Sequence, residues 1–303
     1  MNPEVHVPGW EWYYVAMYFY IGGVSAGTYF VGSLAELFGS EKHREVSRIA
    51  FYLAFPLILL TPPLLIADLG RPERFWHLLV NANTGLPYFN VQSPLSVGSW
   101  ALLLYGVMAL LSFLDNLVAD GVFRAAPIGR LYTRFPRKVY ALVGSATGFF
   151  VAGYTGVVLT ITARPFWAAT DPLMGALFIA SAASTGVAAI SLVFAARNML
   201  PRLHLGAFER FDRLAMGLEL VLAVGVVVLA GKFAAPLLHG SYAVMFWGGA
   251  VLAGTLIPLA ASWYLNRSGM GKPLPGELVV LLSLLVLVGG ALLRISLVQA
   301  GQV

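Results

Sequence analysis

Long stretches without a single charged side chain constrain this chain more than any other feature. Residues 12–35, 49–67, 91–114, 139–163 and 172–196 contain no Asp, Glu, Lys or Arg. A helix rising 1.5 Å per residue needs about 20 apolar residues to cross the hydrocarbon of a bilayer, and each stretch meets that length or nearly so. Three more spans are predicted over 214–231, which contains Glu219, over 241–264, and over 278–298, which contains Arg294. Only 11% of the 303 residues are charged, against about 25% in soluble domains. The expected fold is an all-α integral membrane protein of eight transmembrane helices. A single transmembrane domain would span 1–303, with a first four-helix half over about 1–165 and a second over about 170–303. The loops are too short to hold a soluble domain.

The 19 Lys and Arg outnumber the 14 Asp and Glu, and in so apolar a chain this excess reads as a topology signal rather than as nucleic-acid binding. The segments after predicted spans one, three, five and seven carry fourteen of the cations, among them Lys42, Arg48, Arg124, Arg130, Arg134, Arg137, Arg202 and Lys272. The opposite side carries five: Arg71, Arg74, Arg164, Lys232 and Arg294. Cations favour the inner side, so both termini are expected outside. The opening MNPEVHVPGWEW has no Lys or Arg. The first span is therefore expected to be a retained helix and not a cleaved leader. Gly-rich and Ala-rich stretches at 22–27 and 144–156 predict close helix packing.

There is no cysteine, so the protein cannot hold an iron–sulfur cluster by thiolates. Its five histidines, His6, His43, His77, His204 and His239, all fall in the tail or in loops. A haem ligated between transmembrane helices is accordingly not expected, nor is a metal site. Any electrons handled here must come from another subunit.

Ionisable residues within or beside spans are expensive and mark candidate sites. Asp68, in IADLGRPERFWHLL (66–79), stands at the outer end of span two, with Arg71, Arg74 and His77 following. A helix stop accounts for Gly70, as a left-handed terminator, for Pro72 and for the arginines. It does not account for a carboxylate at the negative end of the helix dipole. Tyr14 and Tyr18, four residues apart, share a face of span one. Tyr154, on span four, lies roughly 15 Å below the predicted outer end. A buried phenol can hydrogen-bond a quinone carbonyl while its ring packs against the quinone, although tyrosines at these depths also serve as packing groups and interfacial anchors. On the inner half, Glu36, Glu219 and Arg197 are candidates for a proton path, or for ion pairing with loop arginines.

Three motifs occur in order: DLGRPERFWHLL (68–79), SPLSVGSW (93–100) and YTGVVLTITARPFW (154–167). With the eight-span layout they resemble the NrfD-like family, which includes the polysulfide reductase membrane subunit. The resemblance covers most of the sequence. It implies a haem-free and metal-free subunit of the prokaryotic plasma membrane that binds menaquinone or ubiquinone in its outer half. It also implies a ferredoxin-like iron–sulfur subunit, and often a molybdopterin catalytic subunit, on the outer side. Asp68 stands at the family's acidic position and Tyr154 at its quinone-contacting tyrosine. Beside that carry-over, the residues themselves suggest Asp68 or His77 as the group that exchanges the proton, with Arg71 and Arg164 in support. Span one departs from the family's best-studied type, which has Asn and His near the quinone where this sequence places Val15 and Tyr18; the quinone type and the proton acceptor are therefore open. Proton translocation through Glu219 and Glu36 is a further expectation. The rival readings are a secondary transporter of two four-helix halves and a purely structural anchor.

Overall fold

Prolines, glycines and hydroxyls decide where the apolar stretches become straight helices and where they break. The computed structural model describes residues 12–39, 43–122, 137–200, 206–267 and 275–303. His6, Trp10, Lys42, Arg124, Arg130, Arg134, Arg202, His204 and Lys272 lie outside the described residues. A π-helical turn, Trp12–Ala16, leads into α1, Met17–Phe38. The second predicted span divides into α2, Arg44–Leu59, and α3, Thr61–Ala67. Pro62 and Pro63 have no N–H to offer the carbonyls one turn back. The Thr61 hydroxyl takes over that task, donating to the Ile58 carbonyl at 2.8 Å.

The third span begins later than its apolar stretch and runs further. In α4, Pro94–Ala119, Ser93 caps the N-terminus by accepting from the Ser96 N–H, and Pro94 occupies the first turn, where its missing N–H costs nothing. The helix then continues through Asp115 and Asn116, which belong to its last turns and not to a loop. Next come α5, Arg137–Thr160, the short α6, Pro165–Ala169, and α7, Leu173–Ala196. After α8, Gly206–Ala230, the backbone adds a 3-10 turn and a one-turn helix ending at Leu238. The π-helical Val244–Leu256 continues into α9, Ile257–Arg267, and α10, Gly276–Ala300, closes the fold.

Among the described residues, seven helical stretches are long and apolar enough to cross a membrane: Arg44–Ala67, Pro94–Ala119, Arg137–Thr160, Leu173–Ala196, Phe208–Leu238, Ser241–Tyr264 and Gly276–Ala300. The protein is a multi-pass membrane protein. α1 is missing from that set although its 22 residues extend about 33 Å. Its composition is the reason, because four glycines and several hydroxyl-bearing residues dilute its hydropathy.

Packing explains that composition. α1 lies at the centre, against α2, α5 and α7, with lighter contact to α10. One face carries Tyr20, Gly23 and Gly27 toward α7 and α10. A Cβ on Gly27 would overlap the Ala182 carbonyl, and one on Gly186 would overlap the backbone of Gly27, so α1 and α7 touch main chain to main chain. The other face carries Ser25 and Tyr29, which bond to α2, α4 and α5. A helix wrapped on every side by protein has no need of lipid-compatible side chains. α4 packs on α2 and α5, α7 on α5, α8 and α10, and the π-helical segment on α8 and α10.

Candidate functional site

The helices leave polar side chains at two ends and in one buried pocket. The first end gathers the π-helical turn with Tyr14, α3, the 3-10 helix Pro72–Leu78, the start of α4 and the end of α5. α3 ends at Ala67 with Asp68 as its C-cap, the Asp68 N–H reaching the Leu64 carbonyl at 3.3 Å. Gly70 is not in the left-handed region, contrary to the sequence expectation. The helix has already ended three residues earlier, at Ala67, and Pro72 starts a new 3-10 helix. Asp68 and His77 are half-buried and Arg71 is exposed. The His77 ring meets Trp76 edge-on, with centroids 4.0 Å apart.

Tyr154 lies six residues before the end of α5, about 9 Å from the helix terminus. That is shallower than the sequence implied, because α5 stops at Thr160 and the following residues turn away. The Tyr154 hydroxyl donates to the Pro94 carbonyl at 2.6 Å. Its ring occupies the space above Gly98, where any Cβ would collide with it. Tyr18, only 5% exposed, is buried in the first turn of α1, directly after the Tyr14-bearing turn. Tyr14 is half-buried against Tyr13, with centroids 4.6 Å apart. It sits in the π-helical turn, so the simple i, i+4 relation to Tyr18 does not apply. This end therefore brings together Tyr14, Tyr18, Tyr154 and the Asp68 segment.

Arg164 is tied to the C-terminal segment. Its guanidinium donates to the Gln302 carbonyl at 3.3 Å, beside Trp167, whose indole donates to the Leu297 carbonyl at 2.8 Å. Together they fasten the end of α10.

The opposite end is an ionic cluster. Arg137 Nε lies 3.2 Å from Glu36 and 3.1 Å from Asp115, distances of ion pairing without the alignment of hydrogen bonds. A second guanidinium nitrogen of Arg137 donates to Asn116 at 2.8 Å, and Ser47 donates to Glu36 at 2.7 Å. Nearby, Arg48 pairs with Asp120 at 2.6 Å, and Tyr52 donates to the same carboxylate at 2.6 Å. Burial alone would raise the Asp120 pKa. The hydrogen bonds from Tyr52 and Arg48 and the charges of Arg48 and Arg137 outweigh it and hold the group below the usual carboxylate range.

Glu219 and Arg294 form the buried pocket in the second half of the protein. Glu219, 6% exposed, accepts from Ser184 at 2.7 Å. Arg294, 1% exposed, donates to Ser181 at 2.9 Å and to the Gly290 carbonyl at 3.0 Å, and stacks over Phe178. Ser184 and Ser181, one turn apart on α7, hold the two groups in one neighbourhood. Glu36 and Glu219 thus sit in separate networks, and Arg197 is an exposed C-cap of α7 bonded to neither. Sequence reading recognised the intramembrane charge of Arg294 without giving it a partner. The serines at 181 and 184, one turn apart on α7, were the available signal.

The family model for the polysulphide reductase NrfD matches residues 4–303. The chain belongs to the NrfD polysulphide reductase family. A protein NrfD homolog of Haemophilus influenzae is 29% identical, with 98% of this chain and 96% of that protein covered. The C chain of the polysulfide reductase of Wolinella succinogenes is 27% identical, with 97% and 94% covered. The C subunit of the selenate reductase of Mesobacillus selenatarsenatis is 29% identical over 98 residues, which cover 32% of this chain and 21% of that protein. The family extends over both the tyrosine-bearing end and the Glu219–Arg294 pocket.

Proposed function

We propose that this NrfD-family protein is the quinone-reactive membrane subunit of a multi-subunit reductase in the prokaryotic plasma membrane. The observation that carries this reading is the gathering, at one end of the helices, of the Tyr14-bearing turn, the buried Tyr18, the Asp68 end of α3 and the Tyr154–Pro94 bond. The groups fit a quinol: aromatic walls, a phenol oxygen whose lone pairs can accept from a quinol hydroxyl while its own proton stays on the Pro94 carbonyl, and a half-buried carboxylate. A bound quinone supplies a couple of two electrons and two protons. Tyr14 and Tyr18 would pack against its ring and tail, Tyr154 would accept from the hydroxyl of its reduced form, and Asp68 or His77 would hold the proton exchanged there, with Arg71 orienting Asp68. Arg164 supports this end from a distance, through the Gln302 carbonyl.

Two of the relatives bear the names of single components of polysulfide and selenate reductases, which supports membership of a larger assembly. With no cysteine available, electrons pass to or from a ferredoxin-like iron–sulfur subunit on the outer side, joined there by a molybdopterin subunit. Fourteen of nineteen cations on alternate loops support eight spans, with α1 as the first and both termini outside. The α1, α2–α3, α4 and α5 packing, and that of α7, α8, the π-helical segment with α9, and α10, support two four-helix halves.

The test is quinol oxidation by the purified intact complex. Asp68→Asn and Tyr154→Phe should each lower the rate, at least roughly a hundredfold and tenfold respectively, in the range for a positioned acid–base group and a lost hydrogen bond. Unchanged rates in both variants would falsify the site.

A further inference from the structure

α5 and α8 both pack on α7, but scarcely on each other. Between them runs a groove that is open to lipid, with α1 and α7 as its floor. Its deepest part is an apolar recess of about 250 Å³, floored by Ala26, Gly27, Ala182 and Ala183 and flanked by Phe149 of α5 and Ile179 of α7. The recess lies at mid-membrane, because Ala26 and Gly27 stand halfway along α1, and Ala182 and Ala183 near the middle of α7. Phe30 bridges part of the gap: its ring is 5.9 Å from that of Phe149 and 6.1 Å from that of Phe211, near the start of α8.

The banks of the groove carry cations at the end remote from the tyrosines. On α5, Lys138, Leu142, Ala146 and Phe149 are all exposed, and at 100° per residue they fall within an arc of about 80°. Lys138 is about 16 Å along the axis from Phe149, which is half the roughly 30 Å of bilayer hydrocarbon. On α8, Arg210 is exposed and shares its face with Leu214 and Leu218, 73% and 52% exposed. The carboxylates Glu209 and Asp212 lie on the other face of α8, the one that carries the buried Met216 and Glu219. A cationic rim half a bilayer away from an apolar recess matches one phospholipid in both length and polarity.

We propose that the groove holds one anionic phospholipid, with its phosphate at Lys138 and Arg210 and the end of an acyl chain in the recess between Phe149 and Ile179. Basic clefts between membrane helices on the cytoplasmic side recognise such headgroups, and the excess of cations at this end of the helices supports that side. The chain fills space that α5 and α8 leave open, where an empty recess would forfeit dispersion contacts. The lipid thereby completes the junction between the two halves. This assignment does not rest on the quinone reading. A quinone tail entering from the tyrosine end would have to pass round α1, because Gly27 stands on the face opposite Tyr18 at 100° per residue.

The experiment uses the purified intact complex, freed of co-purified lipid by detergent exchange. Dioleoyl phosphatidylglycerol is the probe, and dioleoyl phosphatidylcholine is the zwitterionic control with identical chains. Native mass spectrometry should count one tightly held phosphatidylglycerol per copy of this chain and markedly weaker binding of the control. Phosphatidylglycerol carrying a diazirine near the end of one chain should label the peptides that contain Phe149 and Ile179. Lys138→Ala/Arg210→Ala should weaken phosphatidylglycerol binding roughly thirtyfold, the product of about fivefold for each basic residue at a membrane surface, and leave the control unchanged. Ala183→Leu, which fills the recess, should remove the labelling at both peptides. Binding of a quinone-site inhibitor should not change in either variant, which shows that they are folded. The charge variant alters exposed side chains only and decides the matter if Ala183→Leu does not fold. Equal affinity of wild type for the two lipids, labelling spread over all the lipid-facing helices, or undiminished binding in the folded charge variant overturns the proposal. Displacement of the photoprobe by menaquinone assigns the recess to a quinone tail and overturns the lipid assignment, while the quinone reading stands.

Discussion

Removing the charge of Arg294 should destabilise the protein more than removing Arg294 and Glu219 together. Arg294 is 1% exposed and Glu219 6%, so neither charge reaches water. Each is held by serines of α7: Ser184 donates to Glu219 at 2.7 Å, and Arg294 donates to Ser181 at 2.9 Å. In Arg294→Met the guanidinium's bonds to Ser181 and the Gly290 carbonyl disappear, and Glu219 keeps a buried carboxylate with a single hydroxyl donor. Breaking a buried pair from one side costs about 3–5 kcal/mol. Because serines separate the two groups here, the low end, about 3 kcal/mol, is expected. The Arg294→Met/Glu219→Met variant leaves no uncompensated charge and should recover most of that loss, since well-packed apolar replacements of buried pairs are often neutral. Seven tryptophans provide an intrinsic fluorescence signal, so unfolding by SDS in mixed micelles can follow all four members of the cycle. Additive losses in the double variant, or a loss under about 1 kcal/mol in Arg294→Met, would refute the assignment of the pocket as one coupled unit.

Three further outcomes follow from the geometry. Gly98→Ala should push the Tyr154 ring from its seat and break its bond to the Pro94 carbonyl; overpacking of this kind costs about 1–3 kcal/mol, and binding of a quinone-site inhibitor, measured by fluorescence quenching, should weaken with it. Asp120 has a folded-state pKa below its unfolded value. Its contribution is therefore complete at pH values above the unfolded pKa of about 3.9 and disappears as pH falls through the lower folded value, so melting curves below about pH 5 should separate wild type from Asp120→Asn, which lacks that component of the acid dependence. Arg164→Ala should cost about 1–2 kcal/mol in melting, through the lost Gln302 contact, and change quinol oxidation less than twofold; a large loss of activity at unchanged stability would place Arg164 at the quinone after all.

Much of this protein is legible because the bilayer demands so much of its residues. Long uncharged stretches can only be buried or lipid-facing helices, and a protein without cysteine cannot bind a cluster through thiolates. Tyr14, Tyr18, Asp68 and Tyr154 stand out in the sequence as candidates because polar groups at such positions are costly. The helix ends were less legible. The break at Leu60 depends on how Pro62, Pro63 and the Thr61 hydroxyl share one turn, and Asp115 and Asn116 look like loop residues until α4 is seen to continue through them.

Sequence alone determined the class of fold, the lack of thiolate ligands and the residue types available for chemistry, because composition and periodicity act locally. Tertiary structure decided which faces meet. It made the least apolar long helix, α1, the central one. It also tied Arg164 to the C-terminal segment, separated Glu36 from Glu219, and set Ser25 and Tyr29 against Tyr105 and Ser112. Those pairings depend on the rotation of each helix about its own axis. That rotation is fixed by where Gly27 and Gly186 permit backbone contact, a property of two helices jointly and of neither sequence segment alone.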